Sequence, residues 1–142
     1  MGRGTVKLVL DTCVLSNRSF TEWLSYYNGD VCISSITYME RRRQLINHRK
    51  DPKKLDNLLK ESHIQILPFG KTEAAVSSDL MSSRPKVCPV CNKLDWNDAM
   101  IYSSIGNRPT LLVTENVGDF PFEKDGDRVK TTAQIKEIYG DQ

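Results

Sequence analysis

Short apolar runs alternate along this chain with longer stretches of helical spacing. Residues 6–10, "VKLVL", predict a first strand buried on both faces. "FTEWLSYY" (20–27) repeats Phe20, Trp23, Leu24 and Tyr27 at helical spacing, and "NGD" (28–30) is a turn signal. "VCISS" (31–35) predicts a second strand and "IQILPF" (64–69) a third, with helices over 37–46 and 52–63 between them. Further helices are predicted at 71–83, 97–106 and 132–140, and further strands at 109–114 and 128–131. Strands alternate with helices throughout. That pattern predicts an α/β fold, a three-layer α/β/α sandwich on a central, mainly parallel sheet of four or five strands.

With 142 residues the chain has room for one compact domain, expected to span 1–142 with a single cysteine-bearing loop at about 84–96. A 39% hydrophobic and 27% charged composition is ordinary for a globular protein. No apolar run approaches the ~18–20 residues of a membrane span, and no signal-peptide pattern is visible, so the cytoplasm is expected.

The net charge of +2 conceals an asymmetry. "RRRQLINHRKDPKK" (41–54) holds seven Lys/Arg and one Asp, a local +6 that leaves −4 for the remainder. A solvated helix face and loop is the simpler reading; a contact for a polyanion is the other.

The first strand ends on Asp11 with no turn residue between. An unpaired carboxylate is costly to bury, so Asp11 either caps the next helix or holds a ligand. In open α/β sheets ligands bind beyond the carboxyl ends of the strands. Glu40 follows strand two, Asp98 opens the helix before strand four, and Glu115, Asn116 and Asp119 follow strand four. Each has a capping explanation. Thr37 and Glu40 fit the T-x-x-E capping box, and Asp95 and Asp98 suit a helix start. Capping alone does not require them all to converge on one sheet edge. Crowded carboxylates repel unless cations neutralise them, and hard oxygen donors suit Mg²⁺ or Mn²⁺.

No P-loop, G-x-G-x-x-G or G-x-S-x-G motif is present. Carboxylates are the visible catalytic resource, and metal-assisted phosphoryl chemistry is their most natural use. "LVLDTCVLSN", "SSITYMER", "NDAMIYSS" and "LLVTENVGDF" resemble, in order, the four motifs of PIN domains, especially VapC-type toxin nucleases. The resemblance implies a Mg²⁺- or Mn²⁺-dependent endoribonuclease whose metal-binding acids are Asp11, Glu40, Asp98 and Asp119. Asn116 could share the last ligand position, and Thr12 and Thr114 match supporting positions. It also implies an RNA substrate, a homodimer and, for a toxin, a cognate antitoxin. Arg41, Arg42, Arg43, Arg49 and Lys50 are the candidates for guiding the RNA backbone.

Two rivals stand beside the toxin reading. One is an RNA-processing nuclease of the same fold outside a toxin–antitoxin system; the other is a non-catalytic adaptor that binds RNA or protein. The chain departs from the PIN pattern in "CPVCNKLDW". Cys88 and Cys91 have the spacing of half a Zn²⁺ site, completed across a dimer, or are simply reduced loop thiols.

Overall fold

The computed structural model describes residues 6–83, 96–106, 109–120 and 128–140, without the side chains of residues 83 and 119. The cysteine-bearing loop with Cys88, Cys91 and Asp95 lies outside the described residues.

Five strands form one parallel sheet: β1 (Lys7–Leu10), β2 (Val31–Ser34), β3 (Ile64–Leu67), β4 (Thr110–Val113) and β5 (Val129–Lys130), in the order β3-β2-β1-β4-β5. The helices between them are α1 (Arg18–Leu24), α2 (Ser35–Asn47), α3 (Lys53–Glu61), α4 (Lys71–Ser83), α5 (Trp96–Ser103) and α6 (Thr132–Tyr139).

Two cores arise from the two-residue period of β1. Leu8 and Leu10 pack with Phe20, Leu45, Leu55 and Ile135 on one face of the sheet. Val9 packs with Cys32, Ile101, Ile105 and Leu112 on the other. All three β1 residues are fully buried, as expected of a central strand covered by helices on both sides. The result is the three-layer α/β/α arrangement that the alternation predicts.

Three local features differ from the predicted pattern. A 3₁₀ turn, Thr12–Ser16, comes directly after β1, so α1 starts later in the chain than the end of β1 suggests. The helix predicted over 20–27 closes at Leu24. Its aromatic spacing survives past that point because Tyr27 bridges Trp23 and Tyr139, at ring separations of 5.7 and 5.5 Å, tying α1 to α6. Finally, α2 begins at Ser35 because the Ser34 hydroxyl, at the end of β2, accepts the Thr37 amide at 3.1 Å. The capping box expected at Thr37 and Glu40 is therefore not formed. Thr37 is inside the helix, and its buried hydroxyl has no partner among the described residues.

The chain runs outward from β1 to β2 and β3, then returns to β4 on the other side of β1. The reversal opens a crevice at the carboxyl ends of β1 and β4. Leu10 pairs with Val113, so the next rung sets Asp11 beside Thr114. The Asp11 amide still donates to the Val113 carbonyl there, at 2.8 Å.

Candidate metal centre

Asp11 keeps an extended backbone and is 8% exposed. Its Oδ1 accepts the Thr12 amide at 2.8 Å, which caps the 3₁₀ turn. Its Oδ2 accepts the Thr114 hydroxyl, also at 2.8 Å. The capping reading of Asp11 is therefore met, and the cap uses one carboxylate oxygen. One carboxylate oxygen caps while the other is held by Thr114 at the end of β4.

Thr12 continues the chain of contacts. Its hydroxyl donates to Glu40 Oε1 at 2.6 Å, so one residue touches both carboxylates. Glu40 lies in the second turn of α2, half-buried, and its Oε2 accepts the Asn97 side-chain amide at 2.6 Å. Asn97 lies in the first turn of α5, immediately before Asp98. Two acids 29 positions apart and a third helix are thereby drawn to one sheet edge by neutral donors.

Cys13 sits against this edge. Its thiol lies 3.6 Å from both Asp11 Oδ2 and Thr114 Oγ1 and accepts the Glu115 amide at 3.4 Å. Burial pushes the thiol above its ordinary value.

The remaining candidates divide. Asp98 is half-buried in the first turn of α5, where the helix dipole favours a carboxylate. Asn116 is exposed, and its amide donates to Thr114 Oγ1 at 3.0 Å. Asp119 closes a 3₁₀ turn, Val117–Asp119, with its side chain outside the described residues. Glu115 turns away to α6, accepting the Thr132 amide at 3.1 Å and the Thr132 hydroxyl at 2.7 Å. Asn97 is the contact that spacing did not single out. Its only sequence signal is its place beside Asp98.

The donor chemistry fits a divalent cation. Asp11 and Glu40 offer hard oxygens, and among the described residues no basic side chain pairs with either; the one ion pair, Arg18 with Glu22, is exposed. The described residues supply only part of a ligand set, since among them no three acidic, histidine or cysteine side chains group closely enough to hold a metal ion.

The basic stretch does not act as one surface. Arg42 and Arg43 flank a shallow hollow with Tyr38, Met39 and Ile46, whereas Arg41 and Lys50 line a different groove. Arg49 is exposed and ends α2 in the left-handed region at φ 58.

No helix among the described residues is long and apolar enough to cross a membrane.

A sequence model of the PIN domain matches residues 8–116. No curated protein matches the chain significantly. Among solved structures, a chain of a toxin–antitoxin complex from Klebsiella pneumoniae superposes with a TM-score of 0.63 at 23% identity, covering 88% of this chain and 97% of that one. A chain of VapBC2 from Rickettsia felis, bound to a DNA fragment from their promoter, gives 0.60 at 20% identity, covering 88% and 98%. PAE2754 from Pyrobaculum aerophilum gives 0.61 at 13% identity, covering 100% and 94%. At these identities the likeness is one of fold.

Proposed function

The chain belongs to the PIN-domain family, and from that premise we propose that it is a metal-dependent endoribonuclease of the VapC toxin type. The observation that carries the reading is the pair of carboxylates, Asp11 and Glu40, joined through Thr12 and met, among the described residues, by neutral donors. Asp11, Glu40, Asp98 and Asp119 would hold Mg²⁺ or Mn²⁺, with Asn116 sharing the last position. Such an ion supplies charge that activates water and stabilises the leaving oxygen of a phosphodiester. The protein's own part is to orient the acids. Thr12 and Thr114 hold Asp11, and Thr12 and Asn97 hold Glu40, so these two carboxylates are oriented by neutral donors.

The fold neighbours from toxin–antitoxin complexes support an antitoxin as a partner. A toxin acting on cellular RNA would work in the cytoplasm, and a homodimer is part of the same proposal.

The test is cleavage of single-stranded RNA with and without Mn²⁺, beside Asp11→Asn. Wild type should cut only with the metal. Asp11→Asn should cut at no detectable rate while folding normally, because Asn keeps an oxygen for the Thr12 amide and the Thr114 hydroxyl can rotate to its new partner. An Asp11→Asn protein as active as wild type sinks the metal-site reading. The antitoxin is tested separately: co-expressing the product of an adjacent small gene should suppress the cleavage.

A further inference from the structure

We propose that a basic groove beside the candidate metal centre holds the phosphate backbone of single-stranded RNA. The inference rests on the ribonuclease reading for its choice of polyanion, but the groove is built from different residues. Arg18 on α1, Arg41 on α2, Lys50 after α2 and Lys54 on α3 all line one groove of about 470 Å³, and among the described residues no acidic side chain lines it.

Local structure explains the convergence. Arg49 takes the left-handed conformation at φ 58 and closes α2 with a Schellman pattern. The Lys50 amide returns to the Leu45 carbonyl at 2.8 Å and the Arg49 amide to Ile46 at 3.0 Å. The chain turns sharply, and Lys50 is brought to the side of α3 that carries Lys54. Arg18 and Arg41 complete the ring from α1 and α2. The basic stretch 41–54 groups Lys50 and Lys54 with Arg42, Arg43 and Arg49, but the groove takes none of those three arginines and recruits Arg18 from outside the stretch.

Four cations around one groove repel unless an anion joins them. Internal compensation is weak. Among the described residues Lys50 and Lys54 have no acidic partner, and Arg18 meets Glu22 only at 3.9 Å with both side chains largely exposed. Leu15, Leu45 and Leu55 in its floor are buried in the core, and the half-buried Leu58 adds apolar surface beside the four cations. The four like charges, with no acid among the described residues of the groove, favour a polyanion as the occupant.

Two of the groove's residues are near the acids along the chain. Ser16, on its wall, belongs to the same 3₁₀ turn as Thr12, and Arg41 comes directly after Glu40 in α2. A strand with one phosphodiester at the acids can run into the groove along these two elements.

The experiment measures binding of a labelled single-stranded RNA of mixed sequence, without added divalent cation, across a salt series. Lys50→Gln/Lys54→Gln is compared with a charge-matched control on other surfaces, Lys60→Gln/Lys71→Gln. The groove variant should flatten the plot of log affinity against log salt by about 1.4, from roughly 0.7 per phosphate contact on single strands, and the control should not. Equal slopes for wild type and the groove variant overturn the inference, as does equal flattening by the control. A groove variant that keeps RNA binding but loses poly-glutamate would make the groove a peptide dock and overturn it too. Because binding is read without cleavage, the two readings separate. Groove-dependent binding by a protein that cuts nothing leaves this inference standing and ends the nuclease reading. Cleavage with an unchanged slope does the reverse.

Discussion

The Thr114 hydroxyl donates to Asp11 Oδ2 at 2.8 Å, joining residues 103 positions apart at the ends of the paired strands β1 and β4. The same hydroxyl accepts the Asn116 amide at 3.0 Å. One fully buried side chain therefore fixes the strand-end carboxylate and the start of the loop after β4. That gives the site its rigidity on the β4 side.

Thr114→Val keeps the shape and removes both bonds, leaving Asp11 Oδ2 and the Asn116 amide short of a partner. It should cost about 1–3 kcal/mol of stability. Thr114→Ser keeps the hydroxyl and loses a methyl, about 0.8 kcal/mol. RNA cleavage should fall further in Val than in Ser. Urea unfolding and cleavage rates check both, and equal behaviour of the two variants would remove the hydroxyl from the account.

Asn97→Ala withdraws the donor from Glu40 Oε2. Alanine is the better helix former, so stability should hold. The Mn²⁺ concentration needed for half-maximal RNA cleavage should rise about 10–100-fold, the usual cost of losing a group that orients a metal ligand. A Mn²⁺ titration matching wild type would show that Glu40 needs no such support.

Thr37 and Ser34 make an opposed pair. The Thr37 hydroxyl is buried without a partner among the described residues, so Thr37→Val should leave stability unchanged or raise it by up to about 1 kcal/mol. Ser34 accepts the Thr37 amide, so Ser34→Ala should cost about 1 kcal/mol. Chemical denaturation of the two variants reads the difference, and destabilisation by Thr37→Val would reveal an unseen partner for its hydroxyl.

Tyr27 should control alkaline stability. Its hydroxyl donates to the Val6 carbonyl, and burial first, then the neighbouring Tyr139, pushes its phenol well above the ordinary value of 10.0. The folded chain keeps this proton where the unfolded chain loses it. The contribution is therefore complete below about pH 10 and declines as pH rises beyond that. Burial raises the Cys32 thiol in the same sense, so it adds to the decline from its own ordinary value of 9.0. Tyr27→Phe should cost about 1 kcal/mol at pH 7 for the lost hydrogen bond and flatten the loss above about pH 10. Urea midpoints from pH 7 to 11 would show it; an alkaline limb identical to wild type would assign the decline to other groups.

Local periodicity governs the part of this protein that was legible in its sequence. Strands and helices differ in the spacing of their apolar residues, so the alternation could be read, and with it the parallel sheet and the strand-end position of Asp11. Residues that need only a short stretch of chain to explain them, such as the Leu8/Val9/Leu10 alternation, went to the two faces that the pattern implies. Which distant residues meet was settled by the folded arrangement. Thr12 could have left Glu40 untouched, and Thr37 could have capped α2; the parallel pairing of β2 with β1 and the Ser34 cap settled both. Asn97 reaches Glu40 across 57 positions, a contact that no spacing rule contains. The basic stretch was visible as a run of charge. Only the helical turn of α2 and the left-handed Arg49 divided it between two surfaces, because a helix distributes consecutive residues around its axis and a reversal redirects the residues after it.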